Sequence, residues 1–276
     1  MTGRKVPISG YEAFFIEPAV RGTLGILEAA NQCRTVRRVV ITSSITALVP
    51  IAQLTGEEAS IRCILPTDRI PFVSGPYKSE LAAYAASKVA ALEAAEVWVQ
   101  TRKPTFDVVY LHPSYVVGRN DLAMSPREAL KGTNAIVLGI ALGKTFNSTA
   151  GATLHNEDVA RAHVQALDAA VPGNTSYILS HGTQWDDVQD IVRREFSDAV
   201  AKRVLPNCGS AATHTIVFDT SLTEKTFVLP HLGFEEQVKS VVSHYLELRA
   251  RQRIAARTTE PAKGSVRLCQ QGRANA

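Results

Sequence analysis

Apolar positions along the chain follow two rhythms, one suited to helices and one to strands. Over residues 11–32, Ile16, Val20, Leu24 and Leu27 recur three or four apart, with Ala29 and Ala30 in support, and this spacing predicts a helix. Pro18 is compatible with that helix only near its start. "VRRVVITSS", residues 36–44, sets β-branched residues side by side and then turns polar, which predicts a strand. Residues 50–78 carry Pro66, Pro71, Gly75 and Pro76 and read mostly as loop. A long alanine-rich helix is predicted from about Ser79 to Arg102, stopping before Pro104. "FDVVYLHP" (106–113) and "SYILS" (176–180) predict two more strands. Further helices are predicted over 156–169, with Asn156 as the cap, over 185–197 and over 233–250. Strand followed by helix, repeated, predicts an α/β fold on a parallel sheet with helices on both faces.

Composition narrows the picture without deciding it. The 276 residues are 45% hydrophobic and 20% charged, enough to bury a full core. No apolar run approaches the roughly 18 residues of a membrane span. Cys33, Cys63, Cys208 and Cys269 lie far apart without metal or redox spacing, which suits free thiols in a reducing compartment, the cytosol by default. From Arg249 onward there are seven basic residues and one acid, so the tail carries +6 of a net +4 and the remainder −2. The expectation is one domain over 1–250 and a solvated, disordered basic tail over 251–276, with no nucleic-acid or membrane partner.

The chemistry gathers around "YAASKVAALEAAEVW", which begins at Tyr84. On a helix Tyr84 and Lys88 are one turn apart and share a face. An ammonium close to a phenol favours the phenolate and would lower a tyrosine pKa from about 10, making it a usable proton carrier for a carbonyl or alcohol oxygen. Seven tyrosines and ten lysines make such a spacing easy to meet by chance, so the pair carries weight only in context. That context is the strand end "ITSS", because parallel α/β sheets gather ligands at the carboxyl ends of their strands. Ser43 and Ser44 stand there, with Thr46 as a weaker candidate, and "LHPSYVVG" brings Pro113 to the same rim.

Taken in order, "TSS", Tyr-x-x-x-Lys, "HPSYVVG" and "LHNEDVARAHVQAL" resemble the extended short-chain dehydrogenase/reductase family, also called the NAD-dependent epimerase/dehydratase superfamily. The nearest flavour is its reductase branch, the dihydroflavonol and cinnamoyl-CoA reductases and fungal ketoreductases. "EPAVRGTLGILEAA" and "VFDTSLTEKTFVLPHLGFEEQVKSVVSHYLEL" extend the likeness over about residues 14–248. The resemblance implies a Rossmann-like doubly wound sheet with a small C-terminal substrate-binding part, drawn mainly from 119–150 and 205–232. It implies a triad in which Ser44 orients the carbonyl, Tyr84 moves the proton, and Lys88 tunes Tyr84 and binds the nicotinamide ribose. Pro113 to Val116 would line the nicotinamide end. The implied cofactor is NADP, with NAD as the alternative. The implied reaction is reduction of a small or polyketide-like ketone or aldehyde, in secondary metabolism, and the resemblance suggests a homodimer through the 79–102 helix.

Ser44 is followed by Ile45, Thr46 and Ala47, without the carboxylate that sugar-nucleotide dehydratases carry there, which favours a reductase over an epimerase or dehydratase. One departure is large. Full-length members open with a strand, a Gly-x-x-Gly-x-x-Gly turn and a helix, and the sequence has no such motif. "GIALGKT" (139–145) is one residue short of a phosphate-loop spacing. The expectation is therefore an N-terminally truncated form lacking about 70–90 residues, judged from usual βα units. Its serine strand would stand as an open edge. A shortened, non-catalytic paralogue that binds a partner is the alternative in another class.

The remaining residues have plainer readings. His155 and His163 suit helix capping and a solvated face, Asp186 and Asp187 suit a helix start, and Trp98 and Trp185 suit the core. His112 precedes a proline at the sheet rim and is a minor candidate for ligand contact.

Overall fold

The computed structural model describes residues 10–259. A π-helical turn, Glu12–Ile16, runs straight into α1 (Glu17–Gln32), so Pro18 lies in the first turn of α1 but follows helical residues rather than opening the helix, and the Glu17 N–H beside it bonds to the Glu12 carbonyl. There follow β1 (Arg38–Thr42), a 3-10 turn (Ile45–Ala47), α2 (Ile51–Thr55), α3 (Glu80–Arg102), β2 (Asp107–Pro113), β3 (Tyr115–Val117), α4 (Pro126–Ala129) and α5 (Asn134–Ala141). The second half holds β4 (Thr145–Ala150), β5 (Ala152–His155), α6 (Asn156–Gln165), β6 (Thr175–Leu179), β7 (His181–Gly182), α7 (Asp187–Glu195), α8 (Ser197–Ala201), β8 (Ser210–His214), α9 (Ser221–Thr226) and α10 (Phe234–Thr259).

The three strands expected from the sequence are β1, β2 and β6, side by side and parallel in that order. Period-two alternation sends their side chains to two cores. Val108 and Tyr110 of β2 meet Leu27, Leu92, Ala95 and Trp98 from α1 and α3. Val109 and Leu111 meet Ala162, Ala166, Phe227 and Leu229 on the opposite face, beside α6 and α9. Helices thus cover both faces, as the alternating pattern requires. Among the described residues β1 is an edge, and Arg38 to Ile41 are only partly buried.

A third apolar cluster lies beyond the sheet, around α5, α7 and α10. Its centre is Trp185, fully buried, with its indole N–H donating to the Ala150 carbonyl at 3.0 Å. Tyr115 and Phe234 pack edge-on against that ring. Trp98 is also core, as expected, and stacks on Phe106. The short sheets β3–β5–β7 and β4–β8 flank this cluster. Their strands are too brief, or too polar in the case of "TFNSTA" in β4, to announce themselves in the sequence.

The ends of α3 are well specified. The Ser79 hydroxyl accepts from the Ala82 N–H at 3.1 Å, and Lys103 closes the helix in a left-handed conformation. Ser79→Ala is expected to lower the unfolding free energy by about 1 kcal/mol in urea denaturation, the usual cost of a lost cap.

Four expectations need correction. The cap of α6 is His155, whose Nδ1 accepts from the Glu157 N–H at 3.1 Å; Asn156 is already helical and donates to the Arg119 carbonyl instead. That helix stops at Gln165 rather than 169, because the Ala166, Asp168 and Val171 carbonyls turn towards the Arg38 guanidinium. His163 does not face solvent alone: its Nε2 lies 2.6 Å from the Thr42 hydroxyl at the end of β1. Finally, α10 continues through Thr259, nine residues past the expected end at 250, with Arg251 and Arg253 exposed on the helix surface. The rest of the basic tail, from residue 260, and Cys269 lie outside the described residues; Cys33, Cys63 and Cys208 are free thiols.

Candidate active site

At the carboxyl end of β1 the Ser43 N–H donates to the Leu111 carbonyl at 2.7 Å, which keeps the strand tip against β2. Ser44 follows with extended backbone (φ −165°, ψ 155°) and caps the 3-10 turn, its Oγ accepting from the Thr46 N–H at 3.2 Å. The Ser44 carbonyl accepts from the Ala47 N–H at 3.0 Å. This serine is therefore held from three sides before any partner side chain is counted. Ser43 and Ser44 are both 7% exposed.

Helix α3 packs against this turn and brings Tyr84 and Lys88 to it. The Ser44 side chain lies close enough to the Tyr84 phenol to favour its ionised form. Lys88 Nζ stands 5.8 Å from the centroid of the Tyr84 ring and donates to the Thr42 carbonyl at 3.2 Å. Residues expected from two separate segments thus meet around one point, with Tyr84 and Lys88 only partly buried and accessible from outside. Pro113 closes β2 at the same end of the sheet, and Val116 lies in β3 just beyond it. Thr46 is beside the site, but its hydroxyl makes no bond to Ser44, Tyr84 or Lys88.

The electrostatics differ from the sequence expectation. Burial is the largest influence on Tyr84 and raises its pKa above the ordinary tyrosine value, while the nearby Ser44 side chain pulls it down. Burial also lowers the Lys88 pKa. Desolvation penalises the charged form of each group, and Lys88 does not reverse that for Tyr84. The phenol is consequently a proton donor held neutral by its surroundings.

His112, a minor candidate in the sequence, is fully buried behind the serine. Its Nδ1 lies 3.3 Å from the Ser44 carbonyl and its Nε2 3.1 Å from the Ser176 hydroxyl. Burial holds its pKa down at about 3, with Arg69 and Lys88 acting in the same direction, so the ring is neutral. Neither Arg69 nor Ser176 carries a sequence signal; only the parallel pairing of β2 with β6 brings Ser176 beside His112.

For a nicotinamide dinucleotide the described residues offer a partial fit. The hydroxyls of Thr46, Ser114 and Ser180 are buried without hydrogen-bond partners, the last two just past β2 and β6 at the carboxyl end of the sheet. Each is an unpaired donor and acceptor of the kind that a ribose or carboxamide group would satisfy. A strand, glycine turn and helix that could cradle the pyrophosphate are not found among the described residues. No group of metal-ligating side chains occurs among them either, and no helix there is long and apolar enough to cross a membrane.

Comparisons with known proteins agree with this architecture. The family model for the NAD dependent epimerase/dehydratase family matches residues 10–179. The ketoreductase CTB6 of Cercospora beticola is 44% identical over 246 residues, covering 86% of this chain and 69% of that protein. The NAD-dependent epimerase/dehydratase ALT6 of Alternaria alternata is 36% identical over 251 residues, covering 83% of this chain and 69% of that protein. Among solved structures, the yeast methylglyoxal/isovaleraldehyde reductase Gre2 complexed with NADPH superposes with a TM-score of 0.69 at 20% identity, over 87% of this chain and 73% of that one. With the parallel sheet, the strand-end serine and the helix that meets it, these matches establish that the chain belongs to the NAD dependent epimerase/dehydratase family.

Proposed function

We propose that the chain carries the catalytic end of an NADP-dependent reductase acting on a ketone or aldehyde, with NAD as the less favoured cofactor. The observation that carries this reading is the Tyr84 phenol beside the Ser44 side chain at a strand end, with Lys88 Nζ 5.8 Å from its ring centroid. The ketoreductase name of its relative in Cercospora beticola supports the same reaction class.

In this reading the bound dihydronicotinamide supplies the hydride to the carbonyl carbon. The Ser44 hydroxyl donates to the carbonyl oxygen and orients it. Tyr84 gives that oxygen its phenolic proton as the C=O group becomes an alcohol, and solvent later restores the proton. Lys88 has three donors, one of them on Thr42, which leaves two for ribose hydroxyls. Pro113 and Val116 belong to the nicotinamide end, and segments 119–150 and 205–232 supply the substrate pocket.

The test is a titration of the purified chain with NADPH, followed by nicotinamide fluorescence, and then turnover with a panel of ketones and aldehydes. Binding and NADPH consumption are expected. A folded sample that neither binds nor turns over would favour a non-catalytic binding protein, and conversion of a sugar nucleotide would favour an epimerase or dehydratase.

The pH dependence has a definite sign. Reduction needs the neutral phenol, so its rate should hold across neutral pH and fall only as Tyr84 ionises. Because burial raises that pKa, the fall is expected above the ordinary value of about 10. Alcohol oxidation needs the phenolate and should rise over the same range. Initial rates in both directions against pH check this, and a fall in reduction centred near pH 8 would contradict it.

A further inference from the structure

We infer that His112 is a positioning residue for Ser44, set in one tautomer by the Ser44 carbonyl it donates to, with Ser176 and Arg69 completing the hydrogen-bond chain behind it. The inference rests on the reductase reading, and its test separates the two.

The chain has fixed ends. Arg69 Nη2 donates to the Ser176 hydroxyl at 3.0 Å, and an arginine can only donate. The Ser176 oxygen is thereby engaged as acceptor, and its own proton is free to go to His112 Nε2, 3.1 Å away. A neutral imidazole that accepts at Nε2 carries its hydrogen on Nδ1. That Nδ1–H donates to the Ser44 carbonyl, 3.3 Å away, which can only accept. The Ser44 carbonyl sets the direction, since it can only accept: Nδ1 of the neutral ring donates to it, Nε2 is left to accept from Ser176, and the Arg69 donor at the far end is compatible with that orientation.

The consequence falls on the serine. The Ser44 carbonyl receives two donors, the Ala47 N–H and His112 Nδ1–H, and its two lone pairs are both engaged. This fixes the peptide plane following Ser44, and with it the Oγ that meets Tyr84 and accepts from the Thr46 N–H. His112 does this from full burial, touching neither Tyr84 nor the open side of the site through a hydrogen bond. The chain is anchored outward by the Arg69–Glu96 ion pair, in which both Nε and Nη2 of Arg69 reach the carboxylate at 2.6–3.0 Å. Arg69 is also held by the Pro66 and Asp68 carbonyls, so its donor direction is set before it meets Ser176. The charged groups facing His112 are Arg69 on one side and Lys88 on the other, both cationic, and both disfavour a second proton on the ring.

The test has a spectroscopic arm and a kinetic arm. In uniformly 15N-labelled full-length chain, His112 should show a protonated Nδ1 and a pyridine-type Nε2, unchanged from pH 5 to pH 8. This readout is independent of turnover. In Ser176→Ala or Arg69→Met the Nε2 resonance should move towards that of an unbonded nitrogen, with circular dichroism unchanged. Kinetically, His112→Leu should lower kcat for carbonyl reduction by at least tenfold with little change in KM for NADPH. His112→Asn, whose amide N–H can reach the Ser44 carbonyl, should recover most of kcat, and Ser176→Ala should fall between. An Nε2-protonated His112, or a folded His112→Leu variant with wild-type kcat beside an inactive Ser44→Ala, overturns the inference while leaving the reductase reading intact. Absence of turnover in the wild-type chain fails the reductase reading instead, and the resonance assignment then decides the tautomer alone.

Discussion

Tyr84→Phe is expected to lower kcat/KM for carbonyl reduction by about 10²–10⁴-fold, with kcat falling in step. The change removes one oxygen and keeps the ring. The polar contact with the Ser44 side chain and the transferable proton are lost, while the packing of α3 against the strand-end turn is retained. Because the proton moves only as the carbonyl oxygen gains charge, the lost interaction belongs to the transition state, and KM for NADPH should be little altered. The stated range corresponds to roughly 3–5 kcal/mol of barrier. Steady-state kinetics on Tyr84→Phe and the wild type side by side give the answer. Equal turnover would remove Tyr84 from the mechanism and leave the arrangement with Ser44 and Lys88 a structural one.

The largest expected loss of stability is at Arg38→Ala, about 3 kcal/mol. Arg38 and Asp107 are direct register partners on β1 and β2, so their side chains lie on the same face. The guanidinium meets the carboxylate through two parallel bonds, Nε to Oδ1 at 2.6 Å and Nη2 to Oδ2 at 2.8 Å. Its remaining donors go to the carbonyls of Ala166, Asp168 and Val171 in the turn after α6. One side chain thus fastens the edge strand to its neighbour and to the segment leading into β6. Gly173 completes the fit, since a Cβ there would lie 2.1 Å from Asp107 Oδ2. Breaking a buried pair by removing one partner typically costs about 3–5 kcal/mol. The lower end applies here, because the Asp107 side chain is 32% exposed and water can reach it. Urea denaturation of Arg38→Ala and Arg38→Lys measures the effect. Lysine keeps the charge but cannot form the two parallel bonds, so it should recover only part of the loss. A change under about 0.5 kcal/mol for alanine would mean that solvent replaces the clamp.

These two sites differ in how visible they are before folding. Tyr84 and Lys88 announce themselves because a four-residue spacing on a helix already implies a shared face, and Ser44 because polar residues ending a β-branched run imply a strand tip. Arg38 and Asp107 carry no such mark. Their partnership depends on the register of two strands separated by the whole of α3, which local periodicity does not encode. The same holds for Arg69, Ser176 and His112, drawn from a loop and two strands. The small strands β3, β5 and β7 and the helices α4 and α9 are short for a similar reason: each is held by the Trp185 cluster or by a neighbouring strand rather than by its own pattern.

The sequence by itself determined the α/β order, the three parallel strands, the limits of α3, and the type and spacing of the residues that meet at the strand end. Those follow from local physics: side-chain period and proline geometry. Only the tertiary structure decided that burial would hold Tyr84 neutral despite its cationic neighbour, and that a buried imidazole would stand behind Ser44. Each of these depends on which groups lose contact with water, and water is excluded by the assembled fold, not by neighbours in the chain.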